Sequence, residues 1–195
     1  MSERPIIFSA PMVRAILDGR KTQTRRVLKE QPAAGVGPWP IARVPGGPRV
    51  FEWRSKFGRH VGYVRLPYAP GDRLWVCEQT WKHRQTAEYR HTDKASDASW
   101  HEAGWKKVPG VHMPRHMCRI TLEVTGVRVE RLQDISEADA KAEGCGLLLG
   151  NGADANLGAR AVSEYSRLWD SINDGESWAA NPWVWVIEFK RLESK

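Results

Sequence analysis

The run Trp183-Val184-Trp185-Val186-Ile187-Glu188-Phe189 constrains the fold of this chain more than any other stretch. All of it but Glu188 is aromatic or β-branched, residue types that lose side-chain freedom in a helix and pack well on a pleated surface. Trp183, Trp185, Ile187 and Phe189 fall on one face at a period of two, so a layer of apolar side chains has to cover them. The run therefore reads as a central, closing strand, entered from the turn Asn181-Pro182.

The other elements follow from period and punctuation. Ile6-Ile7-Phe8 reads as a first strand, and Ser9 and Pro11 open a helix whose buried stripe is Met12, Val13, Ile16 and Leu17. Gly19 ends that helix in the left-handed conformation. Val50 to Trp53, Val61 to Leu66 and, after the turn Pro70-Gly71-Asp72, Arg73 to Glu78 read as strands, with a meander as the simplest pairing. Arg119 to Leu132 alternates, and its phase shifts at Gly126, which predicts a β-bulge there. Ser136 with Asp139 makes a capping box for a short helix that ends at Gly144 and carries Glu143 in its last turn. Val162, Tyr165, Leu168, Trp169 and Ile172 mark a longer helix that stops at Asn173-Asp174-Gly175.

This order is an α+β pattern, and a small closed β-barrel with flanking helices fits it. At 195 residues the chain reads as a single domain, 1–195, with two long insertions, at about 30–60 and 81–114. The first is rich in Pro and Gly as far as Gly47 and reads as an irregular loop. The second mixes Trp, His and charges at neither period, so its structure is not legible.

Lys and Arg number 30 against 23 Asp and Glu, a net charge of +7, and they cluster as Arg20-Lys21 and Arg25-Arg26. Clustered positive charge favours a polyanion, since each neutralised phosphate releases counterions. Three widely spaced cysteines, Cys77, Cys118 and Cys145, argue for a reducing compartment, and no apolar stretch is long enough for a signal core or a membrane helix. A cytoplasmic protein without a membrane partner is expected.

Lys21 and Thr24 lie just past a helix end, in polar sequence that would present both to one cleft. A hydroxyl needs an adjacent base to attack, and a lysine acts as base when desolvation or nearby cations, here Arg20, Arg25 and Arg26, lower its pKa. From spacing alone, a solvated basic turn that holds phosphate is the stronger reading. Glu143 is either a solvated helix-end carboxylate or, next to the carbonyl end of its helix, a proton donor or acceptor. His112-x-x-x-His116-x-Cys118 lacks a second metal half-site, so no metal is expected. Trp53, Trp81, Trp100 and Trp105 in the insertions are candidates to stack on bases, whereas Trp75, Trp169, Trp183 and Trp185 sit on periodic elements and read as core.

With these residues in place, the chain resembles the ASCH family. The resemblance runs through Ile16-Leu17-x-Gly19-Arg20-Lys21-Thr22-x-Thr24-x-Arg26, Pro70-Gly71-Asp72-Arg73-Leu74-Trp75-Val76, Ile135 to Gly144 and Trp183 to Phe189. It implies a PUA-like barrel. In ASCH enzymes that hydrolyse N4-acetylcytidine, the site is a lysine, a threonine and a glutamate, matching Lys21, Thr24 and Glu143. The resemblance then implies that Thr24 attacks an acyl carbonyl, Lys21 activates it and Glu143 moves a proton to the leaving amine, without metal or cofactor. Other ASCH proteins resemble ribonucleases or noncatalytic RNA binders, so RNA or a modified nucleoside is the expected partner, with Arg20, Arg25, Arg26 and Arg115 toward the nucleic acid. Chains of this longer type resemble phage and prophage proteins.

Overall fold

The strand expected at the C-terminal end spans Trp183–Leu192 (β11) and is buried on both faces. Trp185, Ile187 and Phe189 point into one apolar layer, and Val184 and Val186 into another. A strand in that position must pair on both edges, or its buried N–H and C=O groups would be left without partners. It does so, with Thr121–Arg131 (β10) on one side and Gln23–Val27 (β2) on the other, both antiparallel. Arg73–Cys77 (β6) extends the sheet beyond β10, and Glu3–Ile7 (β1) joins β6 in parallel, giving the order β1-β6-β10-β11-β2. The β10–β11 register slips between Val124 and Gly126, which is the bulge predicted at that glycine.

The structure is a computed structural model and describes residues 3–43, 49–86, 88–91, 104–146, 158–173, 175 and 177–192. The architecture is mixed, mostly sheet with few helices, in keeping with α+β. The expected closed barrel is not found among these residues, because the edge strands β1 and β2 form no ladder with each other. Side chains fill the space between them instead. Phe8 packs 6.0 Å from Phe189, and Arg26 lies 5.5 Å over the Phe8 ring while donating to the Ile7 carbonyl at 2.8 Å.

The two segments read as insertions, with the residues next to them, form sheets. Val36–Arg43 (β3), Arg49–Ser55 (β4) and His60–Arg65 (β5) make a three-stranded antiparallel sheet in that order. Within the Pro-rich stretch read as a loop, Val36–Arg43 is the edge strand β3. Proline is tolerated at an edge, where an N–H can be dispensed with, and the register slips between Trp39 and Ala42, across Pro40. β4 and β5 pair as the meander predicts, but β6 leaves them for β1 and β10. Phe51 and Trp53 of β4 pack against Trp185 and Trp183, with ring centroids 5.5 and 5.6 Å apart. At the second of these segments, reaching just beyond it at Thr80, lie Thr80–His83 (β7), Tyr89–His91 (β8) and Trp105–Val108 (β9), ordered β8-β7-β9 around the fully buried Trp81. These strands are too short for their alternation to stand out in the sequence.

Three α-helices complete the fold of the described residues. Ala10–Leu17 (α1) has Pro11 in its first turn and ends on Gly19 at φ +74°. Glu137–Ala142 (α2) is capped as predicted, Ser136 Oγ accepting from the Asp139 N–H at 3.1 Å. Gly158–Ile172 (α3) buries Ala161, Tyr165 and Trp169 against the Val184–Val186 face of β11. Ile172, expected in the buried stripe, is exposed, and Leu168 is only half-buried, because the apolar side of α3 runs past the sheet and walls a cavity. No helix among the described residues is long and apolar enough to cross a membrane.

Candidate functional site

The segment after α1 is stitched to its surroundings through the backbone. The N–H groups of Arg20 and Lys21 donate to the Ala15 carbonyl at 2.9 and 3.0 Å, the Thr22 N–H donates to Ala142 O at 2.8 Å, and Thr22 O accepts from Phe189 N–H at 2.8 Å. These bonds bring the C-terminal ends of α1 and α2 together. Gly144 makes the approach possible: its φ is +97°, and a Cβ there would lie 3.0 Å from the Ala15 Cβ. A Gly144→Ala change is therefore expected to lower the thermal midpoint by several degrees, consistent with a cost of about 1–3 kcal/mol for strain at such a position; an unchanged midpoint in a melting scan would contradict the close packing.

Lys21 and Glu143, which are 122 residues apart, meet as a result. Lys21 Nζ donates to Glu143 Oε2 at 2.6 Å and to the Glu143 main-chain carbonyl at 2.9 Å, and the two side chains are 0% and 3% exposed. The second carboxylate oxygen accepts from Arg25 Nη1 at 3.1 Å. Glu143 is thus not a solvated helix-end carboxylate. Burial holds the Lys21 ammonium below its ordinary pKa, and the Glu143 charge opposes that effect without cancelling it.

Arg25 is expected from the sequence to grip phosphate, and the structure corrects this. Its side chain is fully buried and engages Glu143, Glu130 and, at 3.5 Å, Asp139, so its charge is already matched inside the protein. Arg128 continues the network to Glu130, Asp139 and Glu188. Burial alone would raise the Asp139 pKa, but the Ser136 hydroxyl and the charges of Arg128 and Arg25 outweigh it and hold the group below its ordinary 3.8. A carboxylate shifted this way contributes stability above its ordinary pKa, which is lost as pH falls through the lower, folded value. The stability difference between wild type and Asp139→Asn is thus expected to be constant near neutrality and to close below pH 3.8, as read by urea unfolding along an acid series. A difference independent of pH would rule out the charge as its cause.

Thr24 is buried on β2 and lines a cavity of about 180 Å³ between β2 and α3, together with Arg26, Glu143, Tyr165, Trp169 and Asn173. Its hydroxyl makes no hydrogen bond among the described residues, and the Lys21 donors go to Glu143. A second cavity, of about 440 Å³, lies between α1 and α3 and includes Arg14, Arg20, Gly144, Cys145 and Glu164. Met12, Glu143 and Leu168 border both, so the Glu143 carboxylate stands at the partition. Burial pushes the Cys145 thiol up to about 12 and also raises Tyr165, so near neutral pH both stay protonated. Thr24 and Glu143 thus share the smaller cavity, which Lys21 does not line.

The remaining expected residues are spread out. Arg26 lines the smaller cavity, and burial lowers its pKa. Arg20 is half-buried at the mouth of the larger one, bound to Asp18 at 2.9 Å and to Gly144 O at 3.3 Å. Arg115 lies elsewhere, paired with Glu3 at 2.6 Å and 5.6 Å over Trp75, and lines neither cavity. Trp53, Trp81 and Trp105, candidates to stack on bases, are buried, and Trp100 lies outside the described residues. His112 and His116 are exposed, and no group of three or more His, Cys, Asp or Glu disposed to hold a metal occurs among the described residues. The parts played at the site by Tyr165, Asn173, Glu130 and Asp139 are not legible in the sequence.

No protein-family model matches the chain, and no curated protein matches it. Among solved structures it is similar to one described as the crystal structure of hypothetical protein PH0355, at 11% sequence identity and a TM-score of 0.42, over 97% of this chain and 99% of that one.

Proposed function

We propose that the chain is an ASCH-type hydrolase, with a PUA-like sheet as its scaffold, that cleaves the N4-acyl amide of a modified cytidine, free or within RNA. The observation that carries this reading is the buried Lys21–Glu143 pair, bonded at 2.6 Å, whose Glu143 lines one cavity with Thr24, Tyr165 and Trp169. Burial penalises both charges, so moving one proton from Lys21 to Glu143 turns an ion pair into a neutral amine and a neutral carboxyl, a base and an acid in one step. Substrate entry turns the amine toward Thr24. Thr24 Oγ then attacks the acyl carbon while its proton passes to Lys21, and Glu143 protonates the departing cytidine nitrogen as the C–N bond breaks. These two transfers restore the Lys21–Glu143 ion pair, and water then cleaves the threonyl ester, its oxygen joining the acyl carbon and one of its protons returning to Thr24 Oγ as the acid is released.

The aromatic wall suits a planar base, and Arg26 and Asn173 supply polar contacts at its rim. A purely phosphate-binding cleft fits less well, since the Arg25 charge is already matched by carboxylates. The direct test is chromatography of N4-acetylcytidine incubated with the purified chain: cytidine and acetate are expected in equal amounts, and recovery of intact substrate alone would overturn the reading.

A further inference from the structure

Between Arg54 and Pro70 the chain has Arg54, Lys56, Arg59, Arg65 and His60 but no Asp or Glu. This segment is the β4–β5 hairpin with the stretch that follows it. Its base is anchored by the buried Phe51 and Trp53, while its tip and outer edge are left in water. Phe57 at the tip is 80% exposed, and Val61 and Tyr63 on the edge strand β5 are 53% and 55% exposed. The tip is a built turn: Gly58 N–H donates to Ser55 O at 2.8 Å, Ser55 N–H to Arg59 O at 2.9 Å, and Lys56 N–H to Gly35 O at 3.0 Å. Gly58 allows it with φ +76°.

An aromatic ring held in solvent by an ordered turn offers a flat face to a partner. Lys56 Nζ stands 5.1 Å from the centre of the Phe57 ring, and His60 stacks 4.5 Å from Tyr63. Glu52 takes up Arg54 and His60. Among the described residues, Lys56, Arg59 and Arg65 form no ion pair, so three cations flank exposed rings with no internal counter-charge. Bases stack on aromatic faces with little regard to sequence, and phosphates follow with the cations, but only where the strand is single and its bases are free. The exposed apolar groups alternate with charges and do not form one continuous patch, which favours a polynucleotide over a lipid surface.

We propose that the β4–β5 hairpin is a single-stranded nucleic-acid finger, in which Phe57 stacks on a base and Lys56, Arg59 and Arg65 hold neighbouring phosphates. The finger is independent of the reaction assigned to Lys21. It is tested by fluorescence anisotropy of the full chain with labelled oligouridine and oligothymidine, in a salt titration. Phe57→Ala is expected to weaken binding about tenfold with an unchanged melting temperature, and Phe57→Trp to retain it. The double change Lys56→Gln with Arg59→Gln is expected to make the slope of log K against log salt shallower by roughly 1.4, at about 0.7 per phosphate on a single strand. Tighter binding of the ribo-oligomer would identify RNA as the source of the strand, and equal binding would identify the shared backbone and bases. Affinity unaffected by Phe57→Ala overturns the proposal, as does a Phe57-dependent association with anionic phospholipid vesicles in place of oligonucleotide binding.

Discussion

Lys21→Ala is expected to lower hydrolysis of an N4-acyl cytidine by roughly 10²–10⁴-fold, the range for loss of a positioned acid–base group. The informative companion is Lys21→Arg, which keeps a cation for Glu143 but cannot become neutral, because a guanidinium stays protonated at any working pH. If Lys21 is the base, arginine fails as alanine does; if it merely holds Glu143 in place, arginine restores turnover. Thr24→Ala should abolish turnover and Thr24→Ser should retain part of it. The pH profile supplies an independent check. The reactive pair holds one proton between Lys21 and Glu143, and burial lowers the Lys21 pKa, so kcat should fall as pH rises through a value below 10.5, where that proton is lost to solvent and Glu143 has none to give the leaving nitrogen. The same shift bears on stability with a definite sign. A buried ammonium binds its proton less well than in the unfolded chain, so its penalty is complete below the folded pKa and is removed as pH approaches 10.5. Lys21→Ala should lack that gain.

The largest effect on stability belongs to Arg25. Arg25→Met leaves Glu143 with Lys21 alone and takes one cation from Glu130 and Asp139. Breaking a buried pair from one side costs about 3–5 kcal/mol, because the remaining charge is stranded in a low dielectric. Set against a typical total of about 5–15 kcal/mol, this is enough to bring the chain close to unfolding at ordinary temperature. Urea unfolding is the measurement, and Arg26→Met is the control. Arg26 donates one hydrogen bond to a main-chain carbonyl and stacks on Phe8, and it forms no ion pair with a carboxylate among the described residues, so its loss should cost far less. Should Arg25→Met instead unfold like wild type and only lose affinity for RNA, Arg25 would be a phosphate ligand after all, and the assignment of its charge to the interior would fall.

Patterns that repeat over a full element are legible in the order of residues alone. The alternation of Trp183, Trp185, Ile187 and Phe189, the stripe of α1, the capping box at Ser136 and the phase shift at Gly126 each arise from contacts only a few residues apart, where side-chain period and backbone hydrogen bonding act directly. Lys21 and Glu143 are singled out by a resemblance, and their meeting depends on something no local pattern contains: Gly144 fitting against Ala15 so that two helix ends converge. The same holds for Arg25. A sequence of adjacent cations reads as a surface because charge prefers water, and only the arrival of Glu130, Asp139 and Glu143 from distant segments makes burial tolerable.

The sequence by itself determined the strand or helix state of the long periodic segments, since that choice is made by period, propensity and capping within each segment. Tertiary structure decided the rest. It left the sheet open between β1 and β2, sent β6 away from β5, and drew β3 from a proline-rich stretch that only an edge position tolerates. It buried the tryptophans at 53, 81 and 105 and exposed Phe57 instead. The physical reason is common to all of these. Burial and pairing are properties of where a residue ends up among segments far away in the chain, and free energies of desolvation and charge matching are set there, not by the neighbours in sequence.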